Sequence, residues 1–163
     1  MRQLLLLSLL LFAGCYQPPR LPPKTQLQIR ELQTRNYTAR DQKQVMKAVI
    51  AALQDDGFII RNADRELGFI NASKEFDSSD PRFQLWYQLF SGPDMVYQKN
   101  TIVEASANVS EFGPEVRVRI VFQIKVMDNF GRPMETRTVE DGLYYQEFFS
   151  KVDKSLFFEK SGI

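Results

Sequence analysis

The clearest pattern in the chain is an alternation. Val116, Val118, Ile120, Phe122, Ile124 and Val126 fall on one side of a period-two repeat, with Arg117, Arg119, Val121, Gln123 and Lys125 on the other. This predicts an antiparallel strand with one packed face and one wet face. Thr101 to Phe112 repeats the period, with Val103, Ala105, Ala107 and Val109 on one face, and Gly113-Pro114 turns between the two strands. Phe58–Asn62 and Leu67–Phe76 read as the arms of a hairpin, with Asp64-Arg65-Glu66 as its polar turn and Gly68 as a bulge. Residues 128–133 make another turn, and Met134 to Val139 a shorter strand. Gln26 to Tyr37 carries Leu27 and Ile29 and, after a slip, Leu32, which predicts a first strand.

Two segments change period. Val45, Met46, Val49, Ile50, Ala52 and Leu53 share one face of a helix that Gly57 ends, with Thr38 and Asp41 as a capping pair. Asp55 and Asp56 sit at the negative end of that helix dipole, at a cost of about 0.3–1 kcal/mol. They mark either a functional acidic spot or a solvated helix end. From Asp141 on, Tyr145, Phe148, Phe149, Val152, Leu156 and Phe157 form a second helical stripe.

Composition narrows the function. The chain has 163 residues, 44% hydrophobic and 25% charged, enough for one domain with a sizeable core. Its net charge of +1 gives no broad field for nucleic acid. Histidine is absent, which removes the usual general base and the commonest metal ligand. A single cysteine, Cys15, allows no internal disulfide. Glycine patterns for nucleotides and a Gly-x-Ser-x-Gly elbow are missing too, so the expectation is a non-catalytic protein without cofactor or metal.

The amino terminus is more informative. Arg2 precedes an apolar run, Leu4 to Phe12, broken only by Ser8. The run is shorter than the roughly 20 residues that span a bilayer, but has the length and flanks of a secretory signal core. Leu11-Phe12-Ala13-Gly14-Cys15 resembles the lipobox of bacterial lipoproteins. That resemblance implies cleavage before Cys15, acyl chains on it, and no protein segment crossing the membrane. Tyr16, where Asp is absent, is similar to the default for outer-membrane export. Two or more acyl chains anchor stably where one does not. Residues 1–14 are then the signal peptide and residues 15–25 a tether. Pro18, Pro19, Pro22 and Pro23 give this tether an extended reach of roughly 30 Å.

Residues 26–163 read as one α+β domain in the order β-α-β-β-β-β-β-α. It is a two-layer sandwich of an antiparallel sheet with two amphipathic helices on one face. The arrangement is helix-grip-like. Through "VMKAVIAALQDDGFIIRNADRELGFINASKE" and the lipoprotein start, it resembles the repeated domains of BamC, a lipoprotein of the outer-membrane barrel-assembly machine.

Asp77 to Asn100 breaks the strand rhythm and is the most aromatic stretch of the chain. It covers the core, binds a partner or dips into a membrane, with Arg82, Phe83, Trp86, Tyr87 and Phe90 as the partner-contact candidates. Asp77 with Asp80, and Glu140 with Asp141, read as turn and cap residues. Arg117, Arg119 and Lys125 line a wet strand face suited to an anionic group or peptidoglycan, or simply to water. The expected function is a structural subunit of a cell-envelope complex, in a secretion-system core or an assembly machine. It would be lipid-anchored in the outer membrane, facing the periplasm, with envelope proteins as partners. The alternative is a lipid- or small-ligand-binding module with a pocket lined by Phe122, Tyr145 and Phe149.

Overall fold

A computed structural model describes residues 24–38, 41–77, 100–127 and 132–161. In chain order these form α1 (Gln26–Leu32), β1 (Thr34–Thr38), α2 (Gln42–Asp55), β2 (Ile59–Asp64), β3 (Phe69–Asp77), β4 (Asn100–Phe112), β5 (Glu115–Met127), β6 (Pro133–Thr138) and α3 (Gly142–Ser161). The fold is α+β, with one antiparallel six-stranded sheet in the order β1-β5-β4-β3-β2 and β6 also paired to β5.

The segment expected to open with a strand opens with a helix. Gln, Leu, Arg and Glu all favour helix, and Thr25 closes a capping box in which its hydroxyl accepts from the Gln28 N–H and the Gln28 side chain accepts from the Thr25 N–H. Only from Thr34 does the chain extend into β1. The second helix also starts differently. Asp41 is itself the N-cap, accepting from the Lys43 N–H at 2.7 Å, so Thr38 belongs to β1. Gly57, at φ +80°, ends that helix as its spacing predicted.

β5 is the spine of the sheet. Along its whole length it pairs with β4, from Phe112 opposite Glu115 to Asn100 opposite Met127. Its other edge is shared by two shorter strands laid end to end. β1 covers Glu115–Arg119 and β6 covers Gln123–Met127, leaving a seam at residues 120–122. Backbone groups next to the two strands reach into the seam, with the Ile120 N–H donating to the Gln33 carbonyl at 2.9 Å and the Val139 N–H to the Phe122 carbonyl at 2.9 Å.

Tyr145 of α3 fills the rest. Its hydroxyl donates to the Val139 carbonyl at 3.0 Å and accepts from Gln33 Nε2 at 3.3 Å and the Phe122 N–H at 3.4 Å. One donor and two acceptor sites are all a hydroxyl has, so the group is saturated.

The helix side of the sheet is closed. Val45, Val49 and Leu53 of α2 and Phe148, Phe149 and Val152 of α3 are buried against Val103, Ala105 and Ala107 of β4 and Val118, Ile120 and Phe122 of β5. Small side chains on β4 suit the close approach of α2, whose own face includes Ala48 and Ala52. Phe122 is the ring hub, 4.8 Å from Tyr144, 5.3 Å from Phe148, 5.7 Å from Tyr145 and 5.8 Å from Phe58. Each such buried ring contributes about 1.5–3 kcal/mol.

Three smaller expectations change. Phe157 is 63% exposed, and Tyr144, one turn before Phe148, is buried in the stripe. Gly68 is a turn residue at φ +65°, and the register shift lies instead between Ile60 and Asn62. A Cβ on Gly68 would stand 1.9 Å from the Val109 carbonyl oxygen, so only glycine lets the β2–β3 turn reach β4.

Two stability predictions follow from these contacts. Tyr145→Phe leaves three buried groups without a partner and lowers stability by about 2–3 kcal/mol, measured by urea unfolding. Gly68→Ala costs at least as much as an ordinary helix cap, about 1–2 kcal/mol, because both the positive φ and the Val109 carbonyl oppose it. A variant of either kind with an unchanged urea midpoint would contradict its assignment.

Candidate functional site

Three places among the described residues have the shape or chemistry of a site. The first is the interior between sheet and helices. Phe122, Tyr145 and Phe149, the side chains expected to line a ligand pocket, are 0%, 1% and 2% exposed. Their rings pack on one another and on Phe148 rather than around a space.

The second is a cleft of about 120 Å³ where the end of α2 meets β3 and α3. Asp56, the C-cap of α2, is answered there by two lysines. Lys151 pairs with its carboxylate, and Lys74 Nζ donates to its carbonyl at 2.6 Å while lying 4.8 Å over the Phe76 ring. These cations offset the charge that Asp55 and Asp56 place at the negative end of the dipole, and the acidic spot resolves into a helix terminus. Burial pushes the Tyr144 hydroxyl far above its usual pKa, and the nearby Asp56 and Glu147 add to the rise. The groups in this cleft hold one another, and no nucleophile paired to a base stands among them.

The third is the sheet face opposite α2 and α3, which among the described residues only α1 borders, at one edge. Its floor is a depression of about 700 Å³ lined by Asn71, Ser73, Ile102, Ser106, Val121 and Gln123, with Arg61, Glu75 and Glu104 around it. The alternation of β3, β4 and β5 puts these side chains there, because their neighbours in sequence point into the core. Charges at this end are paired. Arg61 donates to Ser73 Oγ at 2.8 Å and to Glu75 at 3.3 Å, and Lys125 bridges to Glu104 at 2.7 Å. Exposed pairs of this kind add little stability, but they fix which charges are available to a partner.

A second depression, about 510 Å³, continues from the first across Val121. It lies over the seam, between α1 and the strands, and is lined by Leu27, Arg30, Gln33, Arg119, Thr138 and Glu140. Of the cations expected on this face, Arg117 donates to Asn36 Oδ1 at 3.3 Å and stacks 3.5 Å from the Phe112 ring centroid. Lys125 is bridged, and Arg119 has no hydrogen-bond or ion-pair partner among the described residues. Sequence reasoning missed Arg30 and Leu27 because it read their helix as a strand. It missed Arg61 because the register shift that places it was assigned to Gly68.

The remaining expected residues are quickly placed. Cys15 lies outside the described residues, as do Arg82, Phe83, Trp86, Tyr87, Phe90 and Asp80. Asp77 ends β3. Asp141 caps α3, accepting from the Leu143 and Tyr144 N–H groups at 2.7 and 3.0 Å. The Glu140 carbonyl accepts from Lys24 Nζ. Among the described residues no cluster of His, Cys, Asp and Glu could hold a metal ion, and no described helix is long and apolar enough to cross a membrane.

On the helix side of β1, Tyr37 is buried beside the exposed Arg35–Asp153 pair, which closes at 2.8 Å while Arg35 lies 5.0 Å over Phe149. Its hydroxyl faces the Asp153 and Arg35 side chains without a close hydrogen bond to any described residue. Burial, and then the Asp153 charge, push its pKa well above 10.0. Tyr145 is raised as well, by burial, against the lowering effect of the Phe122 N–H and Gln33.

Two outcomes are expected. Tyr37→Phe removes an unsatisfied polar atom and leaves stability equal or higher, in contrast to Tyr145→Phe; a loss comparable to that of Tyr145→Phe would assign the Tyr37 hydroxyl a bond it lacks here. Raised folded pKa values mean the unfolded tyrosines ionise first, so the native state holds more protons above pH 10. Stability is therefore full below about pH 10 and falls as pH rises, by up to about 1.4 kcal/mol per pH unit for each buried tyrosine. A urea series across that range measures it, and a flat profile would contradict the burial.

No family model matches the chain, and a search of curated proteins found no match. Among solved structures, a DUF4468 family protein from Bacteroides ovatus ATCC 8483 is similar at 11% identity and a TM-score of 0.42, over 76% of this chain and 84% of that one.

Proposed function

We propose that the chain is a non-catalytic outer-membrane lipoprotein that docks onto other proteins of a cell-envelope complex through the open face of its sheet. The observation that carries this reading is the asymmetry of the two faces. One is sealed by α2 and α3 with fully buried aromatic side chains, and the other presents two depressions of mixed polar and apolar lining that share Val121. A sheet face with Ile102 and Val121 on its floor and paired charges around it offers shape and specificity to a protein surface.

The lipobox-like Leu11–Cys15 supports the anchor, and the proline-rich residues 16–25 support a stand-off from the bilayer. The resemblance to BamC domains supports an envelope machine, either a secretion-system core or an assembly machine, as the setting. Tethering raises the effective concentration of a docking surface, so that weak contacts suffice. The filled interior around Phe122 favours docking over the ligand-binding alternative, which needs space at those rings.

Metabolic labelling with a palmitate analogue is expected to mark the wild type and not Cys15→Ala; equal labelling of both would remove the anchor. Mild-detergent extraction of the acylated protein is expected to yield a complex containing other envelope proteins. Recovery only as a free monomer would overturn the docking role.

A further inference from the structure

The depression over the seam has a chemistry of its own. Arg30, from the last turn of α1, and Arg119, from β5, both line it, and neither guanidinium has a hydrogen-bond or ion-pair partner among the described residues. Every other arginine lining the open face is held, Arg61 by Ser73 and Glu75 and Arg117 by Asn36 and the Phe112 ring. Glu140 supplies one carboxylate to the same depression without bonding either guanidinium, and Lys24 Nζ lies at the Glu140 carbonyl. Two guanidinium groups against one carboxylate line the depression and leave it positive, with Lys24 beside it at the Glu140 carbonyl. Leu27, 68% exposed, forms an apolar wall beside the two arginines.

We infer that this depression receives an acidic side chain of an extended partner segment, with Arg30 and Arg119 clasping the carboxylate and Leu27 packing an adjacent apolar residue. The inference rests on the docking role proposed above and specifies the partner's chemistry. Two planar guanidinium forks match a carboxylate geometrically as well as electrically. The shape of the groove supplies the rest. From the seam it crosses Val121 into the neutral floor of Asn71, Ser73, Ser106 and Gln123, whose side chains can both donate to and accept from a backbone. Crossing from β5 to β2 covers three strand spacings, about 15 Å, which an extended peptide spans with about five residues. At the far end, Arg61 and Lys125 are already neutralised by Glu75 and Glu104, so the segment's acid belongs at the α1 end. An anionic bilayer suits the site less well, because Glu140 stands within it and the cations line a depression rather than a flat basic face.

The test uses the full acylated chain in detergent micelles. Its probe is a fluorescein-labelled peptide of about eight residues, Ser-Leu-Glu-Leu-Glu-Ser-Gly-Ser, with a twin in which both Glu are Gln. Fluorescence anisotropy is expected to show the Gln twin binding at least about ten-fold more weakly. The same loss is expected for Arg30→Gln/Arg119→Gln, whereas Arg65→Gln, in the exposed β2–β3 turn, leaves binding unchanged. Raising salt from about 50 to about 300 mM weakens the Glu peptide and not the twin. Equal affinity of the two peptides, absence of binding, or an equal loss in all variants overturns the inference. Binding to phosphatidylglycerol vesicles that needs Arg30 and Arg119, without peptide binding, overturns it in favour of lipid. A double-arginine variant that folds and still co-purifies with the wild-type partner leaves the docking role standing and removes this inference. Peptide binding by a chain that extracts only as a monomer does the reverse.

Discussion

The Tyr145 hydroxyl is where the two layers of the molecule are joined. β5 must present one edge to two strands that do not meet, and a bare N–H at Phe122 and a bare carbonyl at Val139 would otherwise be buried in the seam. Burying such groups without partners costs more than any single ring contact returns. A tyrosine one turn into α3 answers both and binds the Gln33 amide as well. The hydroxyl therefore fixes α1 through Gln33, β1 and β6 through the seam, and α3 over the sheet. With Tyr145 in the seam, Phe148, Phe149 and Val152 fall on the core, and α2 and α3 stay on one side. Neither α2 nor α3 covers the opposite face.

That free face is where the sheet differs from a purely structural layer. Among the described residues its charges grade from paired at the β2 and β3 end to unpartnered guanidinium groups at α1. The short helix that precedes β1 turns a sheet edge into the wall of a groove, with the seam as its floor. The discontinuity that demands Tyr145 on one side thus creates a concavity on the other. On the proposed reading, with Cys15 acylated and residues 16–25 as a tether, such a face would meet envelope partners at high effective concentration.

Much of this architecture was legible in the residues. The alternation from Val116 to Val126 gave the spine and told the core face from the wet face, so Arg117, Arg119 and Lys125 were placed correctly on the open side. The stripe from Val45 to Leu53 gave α2, with Gly57 as its end. What failed was local and had physical causes. In "QLQIREL" the apolar residues fit a strand at 27 and 29 and a helix at 29 and 32, and the capping box of Thr25 and Gln28 decided for helix. Misreading that segment hid Arg30 and Leu27 from the candidate site. Tyr144, one turn before Phe148, lies within the helical stripe and Phe157 lies off it, so here the period itself was misread. The seam could not be read at all, since it depends on two strands far apart in sequence ending opposite the same few residues of β5.

The central claim is that the open face, and not the helix face, meets the partner. Site-specific photo-crosslinking tests it most directly. A benzophenone side chain is placed at Ser106, exposed on the open face of β4, or at Gln146, exposed on α3, in the full acylated chain in its membrane. The account predicts protein adducts from position 106 and none from position 146. Adducts from 146 alone, or from neither position, would contradict it.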